Sequence, residues 1–226
     1  MCVQDPQHFA GYFMSYRCTR NAYENLEKQI FDGVGPFDIP ELRPVKSIPD
    51  VPFVGFNYAK THKDPEHSGV HFFIDDYQFM RLWNRPDQYL DLIGSFACVC
   101  TPDFSTYRDH PKIIQLYNHY RKHWLGAYWQ LRGITVIPTI SWSDEASFEW
   151  CFDGEPRGGI VAVSSVGALM GGTTQALFMR GYEEMLARLD PCAVLFYGRV
   201  PEACKADNII HIESFQTGLR QRTDAR

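Results

Sequence analysis

Seven short apolar runs recur along the chain, at Phe53–Tyr58, Val70–Asp75, Phe96–Thr101, Ile134–Trp142, Gly159–Ser165, Ala193–Gly198 and Ile209–Glu213. Most are continuously apolar instead of alternating, which is the pattern of a strand covered on both faces. Helix-like stretches separate several of them. The clearest is His110–Leu131, with Asp109 as its expected N-cap and Pro111 in the first turn. Its apolar stripe reads Ile113, Tyr117, Tyr120, Trp124, Ala127 and Leu131, and Gly133 ends it. A second helix is expected at Thr174–Leu189, capped by Thr173 or Thr174, with Pro191 beyond its end. Asp76–Ile93 and Asp144–Phe152 are weaker helical stretches.

Strands alternating with helices predict βα units, a parallel sheet and right-handed crossovers. The expected fold is α/β: an incomplete or irregular TIM-like (β/α) barrel of about seven mostly parallel strands. The alternative is a doubly wound open parallel sheet. A complete barrel would need eight repeats, and AKTHKDPEHSG, between the first two runs, is too polar and broken for a crossover helix.

One α/β core is expected over 53–215. Before it, residues 1–52 read as an N-terminal arm. A short helix is expected at Asn21–Phe31, with Tyr23, Leu26, Ile30 and Phe31 on one face and Gly33 as its stop. The prolines at 36, 40, 44, 49 and 52 then predict an extended connector wrapping the core. Residues 216–226 form a basic tail carrying Arg220, Arg222 and Arg226.

A formal charge of −5 gives no general pull toward nucleic acid or anionic membrane. No zinc finger, aromatic RNA-binding signature or basic helix beyond Arg121-Lys122 is present, so sequence-specific duplex DNA readers are disfavoured. The seven cysteines, Cys2, Cys18, Cys98, Cys100, Cys151, Cys192 and Cys204, show no C-x-x-C pair. They read as reduced and mostly buried thiols. The start, MCVQDPQHFAGYF, lacks the charged leader and apolar core of a secretion signal, and no run of about eighteen apolar residues occurs. The expectation is a cytoplasmic protein with no membrane association.

In both candidate folds ligands bind at the carboxyl ends of the parallel strands. The residues leaving the runs there include Asp75, Asp76, Asp103, Ser105, Thr139, Ser141, Trp142, Ser164, Ser165, Tyr197, Arg199, Glu213 and Ser214. Asp103, Asp75 and Glu213 are the candidate catalytic carboxylates, able to work as general acid and base or to hold a divalent cation such as Mg²⁺ through oxygen. Against this stands the ordinary role of a strand-end Asp, which caps a helix or closes an Asx turn. Asp103 departs from that role because Asp109 is left to cap. Trp142 offers a flat apolar face for a sugar ring or base, or else plugs the end of the core. Ser105, Ser141, Ser164, Tyr197 and Arg199 complete the candidate substrate-binding set.

SSVGALMGGTT carries Gly167 and Gly172 at Walker A spacing but lacks the lysine, which argues against NTP hydrolysis. Gly167, Gly171, Gly172 and Thr173 remain a candidate phosphate cradle at a helix N-terminus. His119 and His123 lie one helical turn apart. Tyr120 stands where a metalloprotease carries glutamate, and no third ligand is evident, so the pair reads as a solvated helix flank. Cys98 and Cys100 read as core residues, Cys151 and His211 have no nucleophile context, and Ser164 and Ser165 lack a G-x-S-x-G elbow.

CVCTPDFSTYRDHP, YWQLRGITVIPTISW and the stretch from Phe152 running into VAVSSVG resemble an uncharacterised domain-of-unknown-function family found mainly in bacteriophages, plasmids and integrative elements of bacteria. The resemblance covers roughly Phe37 to Phe215. That family has no assigned catalytic residues, so none carry over. It implies a phage or mobile-element protein working in a bacterial host cytoplasm. The expected activity is that of an enzyme acting on a nucleotide, nucleic-acid component or other phosphorylated or sugar-bearing ligand. The alternative is a non-catalytic protein that engages a host or element-encoded partner.

Overall fold

The computed structural model describes residues 22–23, 28–204 and 208–212. The chain divides into two compact units, Met1–Asp32 and Gly33–Arg226. In the first, β1 (Ala22–Tyr23) pairs antiparallel with β2 (Lys28–Gln29). The helix expected at Asn21–Phe31 is therefore corrected to paired strands. Four apolar residues in so short a stretch do not separate the helical period from a strand.

The second unit opens with a hairpin of β3 (Gly33–Val34) and β4 (Ile39–Pro40). Positive φ at Gly35 and Asp38 turns the chain there. No regular structure follows until β5, as the prolines dictate. The segment nonetheless straps onto the core. Leu42 N–H donates to the Gly154 carbonyl at 2.9 Å, and Ile160 N–H donates to the Val45 carbonyl at 2.7 Å.

All seven apolar runs contain strands: β5 (Phe53–Gly55), β6 (Gly69–His71), β7 (Cys98–Cys100), β8 (Val136–Ile137), β9 (Ile160–Ser164), β10 (Ala193–Tyr197) and β11 (Ile209–Ile212). They form a four-stranded parallel sheet, β5-β6-β7-β8, and a three-stranded parallel sheet, β9-β10-β11. A parallel bridge between Thr139 and Ala162 joins the two sheets. Spatial order thus follows chain order throughout. The sheet also bends strongly, since His71 of β6 and Tyr197 of β10 meet with ring centroids 4.7 Å apart. Four flat strand spacings would hold them about 19 Å apart. Cys98, Val99, Cys100, Val161, Ala162, Leu195 and Phe196 are fully buried, as continuous apolar runs require.

The helices are α1 (Phe56–Ala59), α2 (Met80–Asn84), α3 (Leu90–Gly94), α4 (Lys112–Leu131) and α5 (Gly172–Leu189). The weak Asp76–Ile93 stretch breaks into short helical pieces, and Asp144–Phe152 holds a 3-10 turn at Glu145–Glu149, capped by Asp144 through the Ser147 N–H. Two caps differ from expectation. Pro111, not Asp109, occupies the N-cap of α4, and Gly171, not Thr173 or Thr174, that of α5. The Thr174 hydroxyl instead donates back to the Gly171 carbonyl.

The largest difference concerns α4. Ile113, Tyr117 and Leu131 of the expected apolar stripe are exposed, whereas Gln115, Asn118, His119, Arg121, Lys122, His123 and Gln130 are buried. The buried face is polar because it meets backbone groups of irregular segments and the buried Glu155 carboxylate. Gln130 accepts from the Arg43 N–H at 2.8 Å and donates to the Arg43 carbonyl at 2.9 Å, clamping the strap as a neighbouring strand would. Gly126 lets the helix close on Leu42 and Thr101, which a Cβ there would meet at 2.9 Å. Gln130→Leu would leave the Arg43 N–H and carbonyl unpaired, and a loss of about 1–3 kcal/mol is expected in urea unfolding. A fully stable Gln130→Leu chain would show that the strap is held by other contacts.

Candidate functional site

A cavity of about 1200 Å³ opens where the strands end. It receives residues following β5, β6, β7, β8, β9 and β10, so one rim gathers side chains far apart in sequence. Of the expected residues, Asp75, Asp103, Ser105, Ser141, Trp142, Ser164, Gly167 and Tyr197 line it. Arg199, Gly171, Gly172 and Thr173 are not among its walls, although Thr174 is. The Arg199 carbonyl accepts from the Ser165 hydroxyl, so that segment braces the rim. Glu213, Ser214 and the basic tail lie outside the described residues.

Asp103 leaves β7 through Pro102 and caps no helix. Among the described residues, no hydrogen-bond donor is paired with its carboxyl. Burial pushes its pKa up to about 7; the Lys122 ammonium pulls it down and the Asp76 carboxylate pushes it further up. Asp76 is fully engaged: Ser105 donates to it through both its hydroxyl, at 2.8 Å, and its backbone N–H, at 3.1 Å. The Asn118 amide of α4 donates to the Ser105 carbonyl at 2.5 Å, and Arg121 donates to Asn118. Arg121 in turn lies 4.1 Å over the Phe104 ring. The Asp103–Ser105 turn is thus gripped from both sides, leaving Asp103 itself unclaimed. Asp75 also avoids capping work: its side chain makes no cap bond to the 3-10 turn Asp76–Gln78 that follows.

His71 was hidden in an apolar run and its role was missed. It is 6 % exposed, and burial lowers its pKa to about 4. The Phe73 N–H donates to its Nδ1 at 3.2 Å, so the neutral ring carries its hydrogen on Nε2. Tyr197 and Phe73 stack at 4.9 Å beside it, forming an aromatic wall. No sequence pattern marks such a histidine; only the sheet curvature brings it to Tyr197. Trp142 packs against the core, as one of the two readings expected. It lines the cavity and rests on Phe178, at 5.4 Å, and on the backbone of α5 at Gly181.

The histidines of α4 need the plainest correction. His119 and His123 are 3 % and 0 % exposed, not a solvated flank. His119 Nε2 meets the Asp153 carbonyl at 3.0 Å, and His123 Nδ1 meets the Pro40 carbonyl at 2.9 Å. His123 Nε2 lies 2.9 Å from Glu155 Oε1, which also receives Lys122 Nζ at 2.6 Å. Lys122 donates onward to the Thr139 carbonyl at 2.7 Å, beside the bridge joining the sheets. Burial raises the Glu155 pKa, but Lys122 and His123 together more than offset it and hold the carboxyl below its ordinary value. His119 is held neutral, chiefly by burial and then by the neighbouring His123 and Lys122. The basic Arg121-Lys122 pair is therefore interior too, at 7 % and 2 % exposed. Cys98, Cys100 and Cys151 are buried as expected, and burial pushes the Cys98 and Cys151 thiols up to about 12.

Residues 31–216 match the family described as "Domain of unknown function (DUF4417)". The chain belongs to that family. It is 37 % identical over 192 residues to the Gene 1 protein of Mycobacterium phage D29, covering 84 % of this chain and 70 % of the relative. With the Gene 1 protein of Mycobacterium phage L5 it shares 39 % over 176 residues, covering 76 % of each. A phage-type protein of unestablished activity is what these similarities establish. No solved structure matches the chain. Among the described residues, no helix is long and apolar enough to cross a membrane.

Two outcomes follow from this geometry. Because the folded state binds the Asp103 proton more tightly than the unfolded chain does, Asp103 subtracts stability as pH rises from about 4 through 7. Asp103→Asn is expected to stabilise the fold by about 1–3 kcal/mol at pH 8, allowing for partial exposure, and by almost nothing at pH 4. Equal effects at both pH values in thermal melts would contradict an elevated pKa. Gly181→Ala would gain about 1 kcal/mol in an ordinary helix interior. Here its Cβ would sit 2.2 Å from the Trp142 indole. Net destabilisation, with a shifted tryptophan emission, is expected instead.

Proposed function

We propose that this phage-family protein is an enzyme acting on a nucleotide or a similar phosphorylated, sugar-bearing ligand bound at the carboxyl ends of its strands. The carrying observation is Asp103: an unpaired strand-exit carboxyl, with a pKa near 7, facing a cavity of about 1200 Å³. A carboxyl so poised can give and take a proton near neutrality. Asp75 is its partner carboxylate, and Glu213, following β11, is a candidate third. His71 Nε2–H would hydrogen-bond the ligand or a developing oxyanion, since the ring is locked neutral. Trp142 and the Phe73–Tyr197 wall would stack on a base or sugar, with Ser105, Ser141 and Ser164 donating to hydroxyls and Arg199 bracing the rim from behind. A phosphate would face the N-terminus of α5 at Gly167 and Thr174, which line the cavity, and would have to reach past its walls to meet the backbone N–H groups of Gly171, Gly172 and Thr173. Asp75 and Asp103 offer the oxygen ligands that Mg²⁺ takes, so the cation could travel with such a phosphate.

Support for an incomplete TIM-like barrel comes from the chain-order succession of parallel strands and the His71–Tyr197 contact across it. A doubly wound sheet reverses its strand order at a switch point, and no reversal occurs between β5 and β11. The setting we infer is the cytoplasm of a bacterial host. A second reading, a non-catalytic partner of a host protein, draws on the exposed Tyr77, Tyr107 and Met170, at 78 %, 60 % and 87 %.

Thermal-shift screening against nucleosides, nucleotides and sugar phosphates, with and without Mg²⁺, tests the enzymatic reading. A ligand at 100 times its Kd adds about 2.7 kcal/mol, or about 5–10 °C for a chain of this size. Trp142→Ala should abolish that shift, while Asp103→Asn should retain binding and lose turnover. No shift from any compound at millimolar concentration would overturn the ligand class.

A further inference from the structure

Behind the cavity, the network on α4 contains an arrangement with a different chemistry. His119, His123 and Glu155 each offer a ligand atom, and these atoms lie within 4.8 Å of one another. None of the three lines the cavity. The third ligand that the sequence spacing lacked comes from Glu155, delivered by the turn after Trp150 that also receives the strap.

Each histidine carries the support typical of a metal ligand. Metal-bound imidazole usually donates its second N–H to a backbone carbonyl or carboxylate, which fixes tautomer and ring orientation. His119 Nε2 is spent on the Asp153 carbonyl and His123 Nδ1 on the Pro40 carbonyl. Carbonyls only accept, so both hydrogens sit on those nitrogens. His119 Nδ1 then retains its lone pair, whereas His123 Nε2 shares a hydrogen with Glu155 Oε1 at 2.9 Å and releases it when an ion binds; the rings stand 4.4 Å apart. The independent sign of a missing ligand is Glu155 Oε2. It belongs to a side chain with no exposure, yet it has no hydrogen-bond partner. Lone carboxylate oxygens in protein interiors are costly, and a bound ion is one of the few things that resolves them.

We infer that His119, His123 and Glu155 form a structural binding site for one divalent transition-metal ion of the zinc class. Two imidazoles and a carboxylate suit Zn²⁺ and its neighbours, and not Mg²⁺, which prefers oxygen throughout. Bonds of about 2.0–2.2 Å at tetrahedral angles put two donors about 3.4 Å apart, so closure draws the three side chains inward from the 4.8 Å within which their ligand atoms lie. The Lys122 ammonium keeps Oε1 and holds the carboxylate ionised, leaving Oε2 for the ion. Its positive charge also weakens attraction for a dication, so affinity in the micromolar range is expected. The ion would pin α4 to the Asp153–Glu155 turn and, through Pro40, to the hairpin of β3 and β4.

The test uses the full chain, stripped with a chelator and titrated with Co²⁺ and then Zn²⁺. Saturable uptake of one equivalent, with the intense visible bands of four- or five-coordinate Co²⁺ and a raised melting temperature with Zn²⁺, is expected. His119→Gln and Glu155→Gln should each weaken uptake more than about 100-fold, beyond the 10–100-fold typical of second-sphere changes. Should both variants fail to fold, the wild-type Co²⁺ spectrum decides, because weak octahedral bands or no uptake overturn the site. Variants that fold and bind Co²⁺ as the wild type does would put the ion elsewhere and overturn it equally. Ligand binding in the cavity is read separately by the nucleotide shift, so either idea can fail alone.

Discussion

The structure depends on a buried lysine. Lys122 Nζ joins the Thr139 carbonyl, where the two parallel sheets meet, to Glu155 of the turn that holds the strap. Breaking a buried ion pair by removing one partner costs about 3–5 kcal/mol, because the other charge is left without compensation. Around this pair, α4 uses its polar residues as a spine to which irregular chain is tied: Asn118 to the turn after β7, His119 to Asp153, His123 to Pro40 and Gln130 to Arg43. Loops bring unpaired carbonyls and N–H groups into the interior, and the helix satisfies them.

That arrangement explains why the site can be unusual. Ser105 is gripped by Asp76 from one side and Asn118 from the other, so the turn after β7 is rigid without help from Asp103. A carboxyl relieved of structural duty, and partly buried among the surrounding walls, is free to titrate near neutrality. Lys122 moderates the shift from behind and links the electrostatics of the spine to those of the cavity. Fold and candidate chemistry therefore share one charge.

The strands were legible in the sequence because both of their faces are covered, and continuous apolar runs record that directly. Asp75, Asp103 and Trp142 were legible for a related reason: in a parallel sheet the strand ends converge, so marking the ends marks the rim. The face of α4 was legible only in part, since Trp124 and Ala127 of the expected stripe are buried. Periodicity assumes that a helix buries apolar residues, and here Ile113 and Leu131 face water while Lys122 faces the Thr139 carbonyl and His123 the Pro40 carbonyl, 83 residues away in sequence. His71 escaped notice for another reason, since its partner Tyr197 reaches it only through the bend of the sheet. Glu155 carries no local signal at all; its meaning comes from Lys122 and His123.

The proposed function needs Asp103 to exchange a proton on the cavity wall, and its titration can be observed directly. In a chain labelled with ¹³C at aspartate carboxyls, with Asp103→Asn as the assignment control, the Asp103 resonance should titrate with a midpoint near 7. A midpoint near the ordinary value of about 4 would contradict the account, since a carboxylate ionised throughout the physiological range has no proton to give.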